Sequence, residues 1–155
     1  TDGTVGGTVL LKNINPASNS NPTGFISLNG KMIFLADDGT HGFELWASNG
    51  TAQNTNLLLD VNPGSGSATY ALYKSNAICS DQLFFDADNG GFNIEPWVTD
   101  GTAAGTHLIE DLNPTGNSLD YETRYEYFDN CGIQNLSKSG EKYTQYRNNF
   151  RNFKN

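Results

Sequence analysis

Few side chains in this sequence are equipped for acid, base or metal chemistry. His41 and His107 are the two histidines, and so the two candidates for a general base near neutral pH. No G-x-S-x-G elbow, H-E-x-x-H helix or phosphate-cradling glycine loop frames either one. Gly64-Ser65-Gly66 follows Asn62-Pro63 and reads as a turn. Asp37-Asp38-Gly39 and Asp86-Ala87-Asp88-Asn89-Gly90 gather hard oxygen donors in what reads as a pair of loops, the chemistry that Ca²⁺ takes. An EF-hand loop beginning at Asp86 needs an acidic fifth residue and Glu at the twelfth, where this chain has Gly90 and Trp97. Asp37, Asp38, Asp86 and Asp88 are therefore calcium candidates outside that pattern, with ordinary Asx turns as the competing reading. Glu44 and Glu95 either bond turn N–H groups, pair between units, or serve as acids. A glycoside-hydrolase-like carboxylate pair is defined by a separation in space that spacing along the chain does not give.

The positioning elements repeat. Lys31 to Ser67 aligns without a gap onto Gln82 to Ser118 at an offset of 51 residues, with 15 of 37 pairs identical. The identities include Phe34/Phe85, Glu44/Glu95, Trp46/Trp97, Gly50/Gly101, Thr51/Thr102, Asp60/Asp111 and Asn62/Asn113. Thr1 to Pro16 is a third copy of the second half of this unit, 47 residues before the copy around Gly50. A site is needed once and a core in every unit, so recurring Trp46 and Trp97 read as core rather than sugar-stacking platforms.

Within one period short apolar runs alternate with Gly, Asn and Asp, which is strand spacing. The runs predict strands at Val9 to Ile14, Phe25 to Leu28, Met32 to Ala36 and Phe43 to Ala47. Asn29-Gly30 is a strong hairpin signal because both residues tolerate φ > 0. Four short antiparallel strands in about 50 residues are the size of a β-propeller blade. The expected class is all-β, with about three four-stranded meanders in an incomplete ring or a larger array.

The segments Glu44-Leu45-Trp46-Ala47-Ser48-Asn49-Gly50-Thr51 and Glu95-Pro96-Trp97-Val98-Thr99-Asp100-Gly101-Thr102 resemble the ELWxxDGT repeat family. The resemblance covers residues 1 to about 118, with units restarting near 1, 49 and 100. It implies tandem-repeat, propeller-like proteins of the bacterial envelope or exterior, with no catalytic residues. Glu44, Trp46, Gly50, Thr51, Glu95, Trp97, Gly101 and Thr102 would then be structural signature residues. The chain departs from the pattern at Asn49, Pro96 and Gln53-Asn54, and residues 119–155 leave it altogether.

Composition narrows the partners. The chain has 155 residues, a net charge of −8, 36% hydrophobic residues and 17 glycines. That charge gives no basic surface for a phosphate backbone and disfavours nucleic acid. No apolar run approaches the roughly 18 residues of a spanning helix, and no signal peptide is visible. Thr1-Asp2-Gly3-Thr4 lacks an initiator Met and reads as the start of a processed or excised piece. Residues 137–155 hold five basic residues and one acidic one, +4 of the total, leaving −12 elsewhere. The tail from 119 reads as a divergent last unit or a cap. Cys79 and Cys131 have no C-x-x-C spacing, so the expectation is two thiols or one bridge. They lie 52 residues apart, near the repeat offset, and a bridge needs Cα atoms within about 7 Å.

The expected function is a non-enzymatic repeat segment of a secreted or cell-surface protein, serving adhesion, surface structure or recognition of a protein or glycan. Its alternatives are a carbohydrate-binding lectin and a hydrolase fragment. Two and a half units do not close a ring of four to eight blades, so further repeats or a homo-oligomer would complete it.

Overall fold

A computed structural model describes residues 1–69, 72, 76–91, 94–111 and 113–116, with short strands at 128–129, 132–133, 136–138 and 141–143. The described chain is all-β. Its first sheet is an antiparallel meander of β1 (Thr23–Leu28), β2 (Lys31–Asp37), β3 (Phe43–Ser48) and β4 (Thr55–Leu59), in that spatial order. The second repeats it with β5 (Asn76–Cys79), β6 (Gln82–Asp88), β7 (Ile94–Thr99) and β8 (His107–Leu108). The short strands β9 (Phe128–Asp129), β10 (Gly132–Ile133), β11 (Leu136–Lys138) and β12 (Glu141–Tyr143) form two separate two-stranded ladders. The 118/119 boundary and Cys131 lie outside the described residues, as does the basic tail apart from the strands in it.

Turn chemistry fixes the register. Asn29 and Gly30 join β1 to β2 with φ of 49° and 73°, and Ser80 and Asp81 join β5 to β6 with 49° and 64°. Two consecutive positive φ values match the right-handed twist of the flanking strands. The register then sets Phe34 opposite Trp46 and Phe85 opposite Trp97. Pro96 sits in the central strand β7, where its carbonyl accepts the Ile109 N–H at 2.9 Å.

Central strands β2, β3, β6 and β7 are buried over four or five consecutive residues, so both faces of each sheet are covered there. One cluster joins Ile33, Leu35, Leu45 and Ala47 of the first sheet to Leu83, Phe85, Ala87 and Trp97 of the second. Shifted back by 51 residues, that second group becomes Met32, Phe34, Ala36 and Trp46, which lie on the opposite face of the first sheet. The two sheets therefore stack front to back. On the first sheet's far face Phe34, Ala36 and Trp46 meet Ile14 and Leu57 instead.

Polar contacts tie the same two sheets at the hairpin end. Asn29 Nδ2 donates to the carbonyls of Asp81 (2.7 Å) and Asp100 (3.2 Å), and Lys31 Nζ donates to that of Gly101 (2.7 Å). A Cβ at Gly101, where φ is +83°, would come within 3.3 Å of Ile33 Cδ1.

The strand predicted at Val9 to Ile14 does not form. Val9 to Lys12 match β4 in sequence, but none of the described strands supplies a ladder, and Val9 and Leu10 are 73% and 80% exposed. Asp86 is also corrected from loop to strand: it is buried within β6, and the turn begins at Asn89.

Gly50 has the left-handed backbone of Gly101 (φ +90°), but a Cβ there would meet nothing within 4 Å. Gly50→Ala is expected to cost about 1 kcal/mol from backbone strain, and Gly101→Ala about 2 kcal/mol because it also presses on Ile33. Urea unfolding of the two variants measures the difference.

Candidate functional site

The signature residues build a polar loop and a buried clamp. In the loop after β7, the Thr99 and Thr106 hydroxyls bond each other at 2.7 Å. Gly101 N donates to Thr99 Oγ1, while the backbone N and hydroxyl of Thr102 both donate to Asp100 Oδ1 (2.8 and 2.6 Å). Gly105 N donates to Thr102 Oγ1, and the Thr106 hydroxyl closes the ring on the Thr102 carbonyl. Asp100 is held below its usual range first by the Thr102 hydroxyl, against the opposing effect of burial.

Thr1 to Thr8 makes the same six bonds. Ser48 to Thr55 makes them too, with Ser48 in the first threonine's place. Hydroxyls at both ends of this eight-residue ring were not singled out from the sequence, although all three copies carry Ser or Thr there. The first copy folds this way with none of the described strands flanking it, so the ring is encoded locally.

The departures at Asn49 and Asn54 are linked. A Cβ on Gly7 or Gly105 would lie only 2.0 or 2.2 Å from the Asp2 or Asp100 side chain, so those copies require glycine. The middle copy has Asn in both places, and its ring loosens: the Thr51 N and hydroxyl reach Asn49 Oδ1 at 3.2 and 2.9 Å.

The clamp is Glu44, which is fully buried. Its Oε2 accepts from Val61 N (3.0 Å), and Oε1 accepts from Asn62 N (3.2 Å) and Ala68 N (3.0 Å). The Ala68 N–H is shared with the Phe43 carbonyl, and the Ala68 carbonyl accepts from Asp88 N at 2.7 Å. Glu44 thus fastens the connection between the sheets to β3, and that connection bonds the end of β6. Burial pushes its carboxyl up to about 7, opposed by the Val61 and Asn62 N–H donors and assisted by the nearby Asp60 charge. A carboxyl sealed from solvent and occupied by three N–H groups has no approach for a glycosidic oxygen. Glu95, one repeat later on β7, is fully buried as well.

Three of the four calcium candidates, Asp37, Asp38 and Asp88, turn an oxygen to the backbone of their turn. Asp37 Oδ1 accepts from Gly39 N (2.6 Å), and Asp88 Oδ1 accepts from Gly90 N (2.8 Å). Asp38 Oδ1 accepts from Thr40 N and His41 N, while its Oδ2 pairs with His41 Nδ1 at 2.8 Å. Burial raises the Asp38 pKa, but its bonds to His41 bring the net below the usual range, and the same pairing raises His41. Among the described residues no three His, Cys, Asp or Glu side chains converge as a metal site.

Trp46 and Trp97 are buried, with Lys12 Nζ 5.8 Å from the Trp46 ring centroid. His107 is exposed on β8. Cys79 is disulfide-bonded and ends β5. No helix among the described residues is long and apolar enough to cross a membrane. No protein-family model, curated protein or solved structure matches the chain.

Two predictions follow from the loop and the clamp. Gly105→Asn is expected to cost about 2–3 kcal/mol by overpacking against Asp100, and Asp100→Asn should recover at least about 1 kcal/mol of it. A double-mutant cycle in urea reads that coupling. Because the folded pKa of Glu44 lies above its ordinary 4.5, its contribution is full below pH 4.5 and lost as pH rises through about 7. Stability should fall over that window by an amount on the order of 2 kcal/mol. Glu44→Gln should be less stable throughout, since its amide N–H₂ faces a backbone donor, and should lack that slope.

Proposed function

We propose that the chain is a run of β-propeller-type repeat units, of the kind the ELWxxDGT family resemblance implies, within a secreted or cell-surface protein. Its role on this reading is non-enzymatic: adhesion, surface structure or recognition of a protein or glycan. The observation that carries the reading is the use made of the signature residues. Glu44 is spent on three backbone N–H groups, and the Asp-Gly-Thr positions are spent on the same local ring in three copies. Residues consumed by architecture at every repeat leave recognition to the variable surface between them.

Beads coated with the full chain are expected to be retained on an array of immobilised proteins and glycans without turnover of nitrophenyl glycosides or esters. Retention confined to glycans, and lost on replacing one exposed aromatic, would turn the reading into a lectin. Turnover abolished by Asp38→Asn or Glu44→Gln would overturn the non-enzymatic reading, and silence across the array would overturn the recognition role.

A further inference from the structure

Asparagine followed by glycine is a reactive pair, and the chain has it at Asn29-Gly30, Asn49-Gly50 and Asn89-Gly90. The glycine amide nitrogen, with no side chain beside it, can attack the asparagine Cγ and close a five-membered imide, which water opens to a carboxylate. In a folded chain the attack depends on what the nitrogen, the side-chain oxygen and the leaving amide are bonded to. The three pairs differ in all of these.

At Asn49 the loop prepares both reacting groups. Oδ1 accepts from Thr51 N at 3.2 Å and from the Thr51 hydroxyl at 2.9 Å, so two donors already sit on the oxygen that becomes negative when Cγ is attacked. Gly50 N donates to Ser48 Oγ at 3.1 Å. The Ser48 hydroxyl meets that of Thr55 at 2.8 Å, and Thr55 donates to the Thr51 carbonyl at 2.7 Å, so the nucleophile is held by a chain of hydroxyls. Among the described residues none accepts from Nδ2, the leaving group. Asn49 and Gly50 are both exposed, and a Cβ at Gly50 would meet nothing within 4 Å, which leaves room for water and for the imide.

The other two pairs are obstructed. Asn29 Nδ2 donates to the Asp81 and Asp100 carbonyls across the sheet interface, and its departure would break both ties. Asn29 and Gly30 are also held at φ of 49° and 73° by the ladder on either side. Asn89 is half-buried, and Gly90 N donates to Asp88 Oδ1 at 2.8 Å, where a carboxylate opposes loss of the amide proton.

We propose that Asn49 is a self-modification site, converted in the folded chain to an aspartate that gives the middle copy the Asp-Gly-Thr of the other two. Gly50 N loses its proton to solvent and bonds Asn49 Cγ. The Cγ–Nδ2 bond breaks, and Nδ2 takes up a proton from water and leaves as ammonia. Water then adds across the new Cγ–N bond, its oxygen to Cγ and a proton to Gly50 N, so the balance is asparagine plus water to aspartate plus ammonia. Because the Thr51 donors lie on the Cγ oxygen, the imide opens at that carbonyl and leaves ordinary aspartate rather than isoaspartate. This conversion does not depend on the surface role proposed above.

The full chain is kept folded in mildly alkaline buffer and, in parallel, unfolded in urea, and digests are followed by mass spectrometry against synthetic aspartyl and isoaspartyl peptides. Unfolded, the three pairs should convert at rates within about threefold of one another. Folded, Asn49 should convert at least about threefold faster than unfolded, with aspartate as the main product, while Asn29 and Asn89 slow at least about tenfold. Thr51→Val should return Asn49 to its unfolded rate or below, and Thr51→Ser, which keeps the hydroxyl, should restore the folded rate. A folded Asn49 that reacts no faster than the unfolded one, isoaspartate as its main product, or a Thr51→Val chain that converts like the parent would each overturn the proposal.

Discussion

A carboxyl buried out of water is costly unless its oxygens are occupied, and Glu44 meets that requirement with backbone donors from a single connection. The Val61 and Asn62 N–H groups lie where the chain leaves one meander for the next and take their acceptors from Glu44. Glu44 therefore specifies the path of the connection as well as the packing of β3. Within that connection the Ala68 carbonyl receives Asp88 N, so the placement of one side chain reaches the strand end of the following sheet.

The first sheet presents unlike faces. Ile33, Leu35 and Leu45 are branched aliphatics on one side, and Phe34, Ala36 and Trp46 combine large and small residues on the other. The front of the first sheet fits the back of the second, so the contact joins two different surfaces. The polar ties at Asn29 and Lys31 follow the same direction, reaching turns of the second sheet. Direction is thus written twice, in apolar shape and in hydrogen bonds.

Much of this was legible in the residues. The 51-residue offset located β2, β3, β6 and β7 because packing constraints preserve Phe, Glu and Trp at fixed spacing, and Asn29-Gly30 announced its hairpin through backbone conformation. The strand expected at Val9 to Ile14 was misread because a strand is a property of a pair: its residues have the right types, but none of the described strands pairs with them. The burial of Glu44 and the Thr99–Thr106 hydroxyl bond were hidden for a different reason. Charge and hydroxyl content suggest surface, and only the repeated fold shows these groups turned inward. Asp86 was read as loop on the same reasoning and is a buried strand residue.

The ring closed by Thr1 and Thr8 has a kinetic consequence. All of its bonds join residues at most seven apart, so its closure entropy is small and independent of long-range pairing. Closing so short a segment takes on the order of tens of nanoseconds, whereas hairpins take microseconds. Ring closure therefore runs ahead of hairpin formation on these timescales, and it does so through hydroxyls, amides and a carboxylate or carboxamide rather than through apolar contact.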